Sequence, residues 1–332
     1  MSRYIKTIKR LFPLKSILGL VISIGCVYVI IDDFDFQLFI QDVKEIKLHL
    51  FIFASILLII SVVIRSFRWH LFFTEQESKK IKISQLFKNE MIGYFGNNIL
   101  PFRLGDIVRV SAISRATNLS PPYLFGTIAA ERIIDIVSLF VFSICFLLFF
   151  WNDPIFLDGL VMFKSHIDIN DFSSLFILIG FIFAVCLLIK SKNLFGLRKL
   201  FDFNLFISAF TNIKGYNKIL TITMLSLLIW GIYLFNIIII AKSTTFINLS
   251  ISQSMLLLVA VTLSIVVIPS GPGHIGLFEL AVIGVLESSL FDYSTEQAIS
   301  FSIILHAYSY ITYSIMGGYF FIKSNASLGS IK

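Results

Sequence analysis

Charge is scarce in this chain. Only 14% of its 332 residues are Asp, Glu, Lys or Arg, where a soluble domain carries about 25%. That scarcity excludes an ordinary water-soluble globule. Cysteine is scarcer still: Cys26, Cys145 and Cys186 each lie in an apolar run and form no CxxC pair. Neither a disulfide framework nor a thiolate metal site is expected. There is no HExxH string, no Ser/His/Asp set and no paired metal-ligand spacing. No cofactor or metal is therefore expected, and no catalytic motif supports an enzyme. Low-complexity tracts and soluble modules are missing too. The long apolar runs lack the alternation of barrel strands, which excludes an outer-membrane barrel.

What is abundant is apolar surface. Hydrophobic residues make up 57% of the chain, and the mean hydropathy is +0.90. Six stretches are long enough to cross a bilayer: about 14–31, 48–66, 124–150, 174–190, 219–241 and 298–322; a run of roughly 18 apolar residues reads as a spanning helix. Two more, about 85–113 and 251–290, are apolar but interrupted by Pro, Gly and polar residues. The expected fold is all-α, a polytopic helical membrane bundle in one transmembrane domain. Arg3, Lys6, Lys9, Arg10 and Lys15 precede the first run, and no small-x-small cleavage site follows. That run is read as an uncleaved first helix.

The net charge of +7 would raise nucleic-acid binding in a soluble protein. Here the basic residues sit in short loops, where they set topology and meet anionic lipid headgroups; no nucleic-acid partner is expected. With the N-terminus cytoplasmic and each full run crossing once, nearly every Lys and Arg falls inside. The exceptions are Lys44, Lys47, Lys164 and Lys242 outside, and Arg132 within a span. This predicts a multi-pass protein of the cell membrane (plasma or inner) with both termini cytoplasmic. It places Arg65 and Arg68 in a cytoplasmic loop. It also requires 85–113 to enter and leave from the cytoplasm and 251–290 to enter and leave from outside. Broken helices of opposite orientation mark a transporter site near the midplane; ordinary kinked spans are the plainer alternative. Residues 193–218 interleave Phe and Leu with basic residues, as an interfacial segment or a connecting loop does.

Three constellations stand out. In the first, Asn97 and Asn98 precede Pro101, Arg103, Gly105, Asp106 and Arg109. Pro and Gly break a helix and free backbone groups. Asp106 suits a helix cap, and the arginine fork suits a phosphate; a capped cytoplasmic turn explains the same residues structurally. In the second, Glu131, Arg132 and Asp135 lie within one turn inside an apolar span. Intramembrane charges face the bundle interior and mark substrate or ion routes. Two carboxylates against one guanidinium leave a charge for a partner elsewhere, such as Arg103, Arg109 or a proton. A structural ion cluster is the alternative. In the third, Pro269, Gly271, Pro272, Gly273 and Gly276 precede Glu279. A helix restarting there would present amides to an anion, with Glu279 in its first turns. The Gly271-x-Gly273-x-x-Gly276 spacing lacks a βαβ setting, so it is not a dinucleotide loop. His306 in the last run suits a proton relay or a hydrogen-bonded packing role.

These strings, in this order, resemble a family. The string from Asn97 and Asn98 to Asp106 resembles an N-x-x-[LF]-P-x-[RK]-x-G-[ED] element, Glu131-Arg132-x-x-Asp135 an E-R-x-x-D element, and Pro269 to Glu279, one residue longer, a P-x-[PG]-G-G-x-G-x-x-E element. The family is that of flippase-like, lysylphosphatidylglycerol synthase transmembrane regions, and the resemblance spans about 65–322. It implies a helical bundle of lipid-translocating character. In the multiple peptide resistance factor such a bundle moves aminoacylated phosphatidylglycerol between leaflets and is fused to a soluble aminoacyl transferase. This chain ends at Lys332, so lysyl transfer is not expected of it. Asp106 stands where Glu is common, and Pro272 replaces one glycine. The expected function is movement of a phosphate-bearing lipid between leaflets: a phospholipid, an aminoacylated lipid or a polyprenyl phosphate. The alternatives are a membrane-embedded transferase on lipid-linked substrates, or an accessory protein of a separate lipid-modifying enzyme.

Overall fold

The computed structural model describes residues 19–100, 104–155, 157–158 and 203–324. The expected span 174–190, Cys186, Pro101 and Arg103 lie outside the described residues, as do parts of 14–31 and 193–218. The helices are α1 (Gly19–Ile31), α2 (Phe36–Lys44), α3 (Leu48–His70), α4 (Glu75–Ser78), α5 (Ile83–Ile99), α6 (Gly105–Thr117) and α7 (Pro121–Phe149). They continue with α8 (Phe203–Thr211), α9 (Tyr216–Ser243), α10 (Ile251–Val267), α11 (Leu277–Leu286) and α12 (Thr295–Lys323). No strand occurs among the described residues.

Four helices, α3, α7, α9 and α12, are 23 to 29 residues long and apolar enough to cross a membrane. At about 1.5 Å per residue each exceeds the roughly 30 Å hydrocarbon core. Their outward faces follow helical spacing: Ile52, Ile56 and Ile60 on α3, and Ile133, Val137, Phe140 and Ile144 on α7, are exposed. Such side chains meet lipid, because every backbone group of a spanning helix is already paired. Inward faces carry small and polar residues. Ala54, Leu58, Ser61, Val62, Arg65 and Arg68 of α3 are all buried.

α9 runs antiparallel to α3. The Lys47 N–H donates to the Ser243 carbonyl at one end (2.8 Å), and Lys218 Nζ donates to the Phe73 carbonyl at the other (3.3 Å). α7 parallels α9: Tyr123 near its start donates to Glu77 (2.7 Å), and Asp153 just past its end accepts from Ser252 (2.6 Å). α12 returns in the sense of α3, with Phe320 near its end against Phe87 near the start of α5.

Both interrupted segments fold as helical hairpins. α5 and α6 pack on each other so closely that a Cβ on Gly105 would strike the Gly93 carbonyl and Asn97. Small residues let two backbones approach in this way where lipid supplies no hydrophobic drive. α10 descends to Val267, a 3-10 turn (Pro272–His274) reverses the chain, and α11 climbs back. Its two ends meet: the Asn248 N–H donates to Tyr293 Oη (3.1 Å), and that hydroxyl donates back to the Asn248 carbonyl (2.7 Å). The first hairpin opens on the face that holds the end of α3 and the start of α7. The second opens on the opposite face.

The two faces differ in charge. Among described residues the first carries Lys79, Lys80, Lys82, Lys88, Arg115, Lys214, Lys218 and Lys323, with Glu75 and Glu77. The second carries Asp32, Asp33, Asp35, Asp42, Glu45, Asp153, Glu287, Asp292 and Glu296 against Lys44, Lys47 and Lys242. An apolar core of α9, α10, α11 and α12 fills the acidic half, around Ile240, Leu257, Leu286 and Phe301. A smaller one, around Trp69, Phe72, Ile113 and Leu124, fills the basic half. Within 193–218, α8 packs on α7, with Ala209 buried against Gly126.

Candidate functional site

Two polar loci lie inside the bundle. The larger joins four helices. α3 delivers Arg65 and Arg68, α5 Glu90, α6 Asp106 and Arg109, and α7 Glu131, Arg132 and Asp135. Glu131 is fully buried. One of its oxygens pairs with Arg65, and the other accepts from Arg109 Nη2 at 2.8 Å. Arg109 also donates to Glu90 Oε1 (2.6 Å) and lies over the Trp69 ring, 3.6 Å from its centroid. Trp69 is itself anchored by Nε1 donating to Thr127 (3.0 Å). Asp135 accepts from Arg65 (2.8 Å) and from Arg68 (2.6 Å), and Arg68 reaches Ser226 on α9 (2.8 Å). At the cluster's edge Arg132 donates to Asp106 (3.2 Å).

Four guanidinium groups thus face four carboxylates. Burying a charge in apolar surroundings costs several kcal/mol unless it is paired and hydrogen-bonded. The cluster meets that cost by mutual neutralisation, leaving only the Nε–H of each arginine without a partner. Glu131 lies ten residues into α7, about 15 Å along it, well inside the bundle from the basic face. Glu131 is shared between Arg65 of α3 and Arg109 of α6, and Asp135 between Arg65 and Arg68 of α3, so a shift of α6 would leave both carboxylates paired. Such a shared network can hold two arrangements of a bundle.

The second locus is where the hairpin tips meet α12. Asn98 donates its amide to the Tyr310 carbonyl (3.1 Å) and to Ser314 Oγ (3.0 Å). Tyr310 Oη reaches back to the Asn98 carbonyl at 3.4 Å. Gly273 of the second hairpin packs on Tyr310 and Asn98, so the two oppositely directed tips touch. The Gly271 N–H donates to Ser23 of α1 (2.8 Å), and His274 Nδ1 lies 2.6 Å from Ser270 Oγ. Gly276 adopts φ +85°, a left-handed conformation natural to glycine, and from it α11 starts. Glu279 caps that start, with Oε2 accepting from the Gly276 N–H (2.7 Å). Its other oxygen is 2.5 Å from His306 Nδ1 of α12, and the His306 ring stacks on Phe278.

The structure thus groups the expected residues into two sets. Asp106, Arg109, Glu131, Arg132 and Asp135 join the charge cluster. Asn98, Gly271, Gly273, Gly276 and Glu279 join the tips, while Pro269 is exposed beside them. Three readings change. Arg65 and Arg68 are not loop residues: α3 runs on to His70, and the acidic cluster holds both inside. Asp106 is not the cap of α6. Leu104 takes the N-cap position, and Asp106 in the first turn reaches Arg132 instead. Gly271 offers no amide to a ligand in this arrangement, because Ser23 already accepts it. Sequence reasoning missed Glu90 altogether. The signal for Arg65 and Arg68 was present: they continue the Ala54, Leu58, Ser61 register at steps of four and three, the inward stripe of α3. Among the described residues no group of three or more His, Cys, Asp or Glu is placed to hold a metal ion.

Comparison with curated proteins and with solved structures gives no match. The family described as Lysylphosphatidylglycerol synthase TM region matches residues 16–317, which include both hairpins and both polar loci. The chain therefore belongs to the lysylphosphatidylglycerol synthase TM region family and is a multi-pass membrane protein related to lipid modification.

Proposed function

We propose that the protein moves a phosphate-bearing lipid between the leaflets of the cell membrane. The basic face lies in the cytoplasm, in line with the preference of Lys and Arg for cytoplasmic loops. One observation carries the reading: two re-entrant hairpins enter from opposite faces, and their tips touch at Asn98, Gly273 and Tyr310. Inverted pairs of broken helices around a central site suit alternating access, in which one half rocks against the other. The headgroup passes along the polar seam between the tips and the charge cluster while the acyl or prenyl chains stay in the bilayer. Arg109 and Glu131 exchange partners within the cluster, and Glu279 and His306 hold the second tip to α12.

The test uses purified protein in liposomes that carry fluorescent phospholipid or a polyprenyl-phosphate probe. Dithionite bleaches only the outer leaflet. Bleaching beyond the outer-leaflet share, slowed in Glu279→Gln and Glu131→Gln, supports translocation. No exchange with any lipid class contradicts it and transfers weight to a lipid-modifying or accessory role.

A further inference from the structure

The charge cluster and the second tip bury their carboxylates differently. In the cluster each carboxylate meets a guanidinium, which stays charged at any ordinary pH. At the second tip Glu279 meets a histidine, whose charge comes and goes near neutrality. Glu279 is 8% exposed and His306 9%. One Glu279 oxygen accepts from the Gly276 N–H at the start of α11, and the other lies 2.5 Å from His306 Nδ1 on α12. The pair therefore ties the hairpin to α12. Its titratable neighbours are Cys26 of α1, which packs on Gly276, Tyr310 of α12, edge-on to the His306 ring, and His274 in the turn. The His306 ring stacks on Phe278, and Phe278 lines a cavity of about 140 Å³. Tyr233 of α9, Thr262 of α10, and Tyr308 and Ser309 of α12 line it too, so it offers hydroxyl groups and room for several waters.

We propose that the Glu279–His306 pair is a proton-binding site that couples lipid movement to a proton gradient. The inference deepens the translocation reading and rests on it. Joined inside the bundle, a carboxylate and an imidazolium cancel. Opposite a neutral ring the same carboxylate leaves one negative charge buried, which apolar surroundings disfavour. Closing the tip on α12 therefore takes up one proton, held on the imidazole with Nδ1–H donating to Glu279 Oε1. When the tip parts from α12, water reaches both groups, each is solvated alone, and the proton leaves. Waters in the adjoining cavity carry it. Alternating access opens the pair to one face and then to the other, so a proton taken from one side is given up to the other for each headgroup carried.

The experiment places full-length protein in sealed liposomes with a fluorescent phospholipid and an imposed pH difference, while valinomycin and potassium hold the membrane potential at zero. Dithionite reads the outer-leaflet share at steady state. One proton per lipid predicts that the leaflet ratio departs from its gradient-free value, by up to about tenfold per unit of pH difference, and reverses with the gradient. His306→Gln keeps a donor and cannot carry the proton; it should lose the response at whatever rate it exchanges lipid. Exchange in the parent that ignores the gradient would overturn the coupling and leave translocation standing. A response retained in His306→Gln would overturn the site. If no lipid exchanges at all, translocation fails, and nitrogen NMR of the histidine rings in detergent decides the proton site by itself. The His306 signals, identified by their loss in His306→Gln, are expected to show the ring giving up its proton more easily in Glu279→Gln than in the parent. Identical titration in the two proteins would overturn the proposal.

Discussion

Glu131→Ala removes the carboxylate that α3 and α6 share. It leaves four guanidinium groups facing three carboxylates inside the bundle. Neither partner is stranded completely: Arg109 keeps Glu90 at 2.6 Å, and Arg65 keeps Asp135 at 2.8 Å. Breaking a buried pair by deleting one partner costs about 3–5 kcal/mol, and the surviving partners place this change near the lower end, about 3 kcal/mol. Thermal unfolding of the detergent-solubilised protein should show a fall of about 4 °C. A cycle sharpens the test. Because Glu131 and Arg109 touch, the double change Glu131→Gln/Arg109→Gln should cost less than the sum of the single changes by about 0.5–3 kcal/mol. A Glu131→Ala protein as stable as its parent, or strictly additive single changes, would refute the view that these charges are held by one another.

Three further outcomes follow from the geometry. Gly105→Leu places side-chain atoms where Gly93 and Asn97 already lie, so α5 and α6 must separate; folded yield on size-exclusion chromatography should fall sharply, and a normal yield would contradict the hairpin packing. Cysteines at Lys82 and Ala116 should react with an impermeant maleimide from one side of sealed vesicles, and cysteines at Ile251 and Glu287 from the other. Labelling of either pair from both sides would show a kinked span instead of a re-entrant hairpin. His306→Ala leaves Glu279 Oε1 without its partner, at a cost of about 1–3 kcal/mol, while His306→Gln retains a donor and costs less; equal melting temperatures would separate His306 from Glu279.

The membrane fold was legible because its signals are long and repetitive. Runs such as 48–66 and 219–241 meet the length of a spanning helix, and Lys and Arg counted along the loops predicted that the two broken segments enter from opposite faces. Helix ends were less legible. α3 runs past Arg65 because Glu131 and Asp135 of α7 neutralise Arg65 and Arg68, and a rule that stops a span at its first charge cannot see that. The charge cluster was half legible. Glu131 and Asp135 stood out against an apolar background. Glu90, between Asn89 and Met91 in a segment of mixed polarity, carried no comparable contrast; its partner Arg109 is nineteen positions away. The bond between Glu279 and His306 was hidden for the same reason, since contact between distant helices is a property of packing and leaves no local periodicity.

The central claim is that lipid crosses only when the hairpin tips can part from α12. Asn98 Nδ2 and Ser314 Oγ are 3.0 Å apart, so Asn98→Cys/Ser314→Cys, with the native cysteines replaced, offers a reversible tether. One reconstituted sample is assayed by dithionite bleaching after oxidation and again after reduction. The account predicts lipid exchange in the reduced protein and its arrest in the oxidised one. Exchange at the same rate in both states, or in neither while the untethered parent is active, would contradict it.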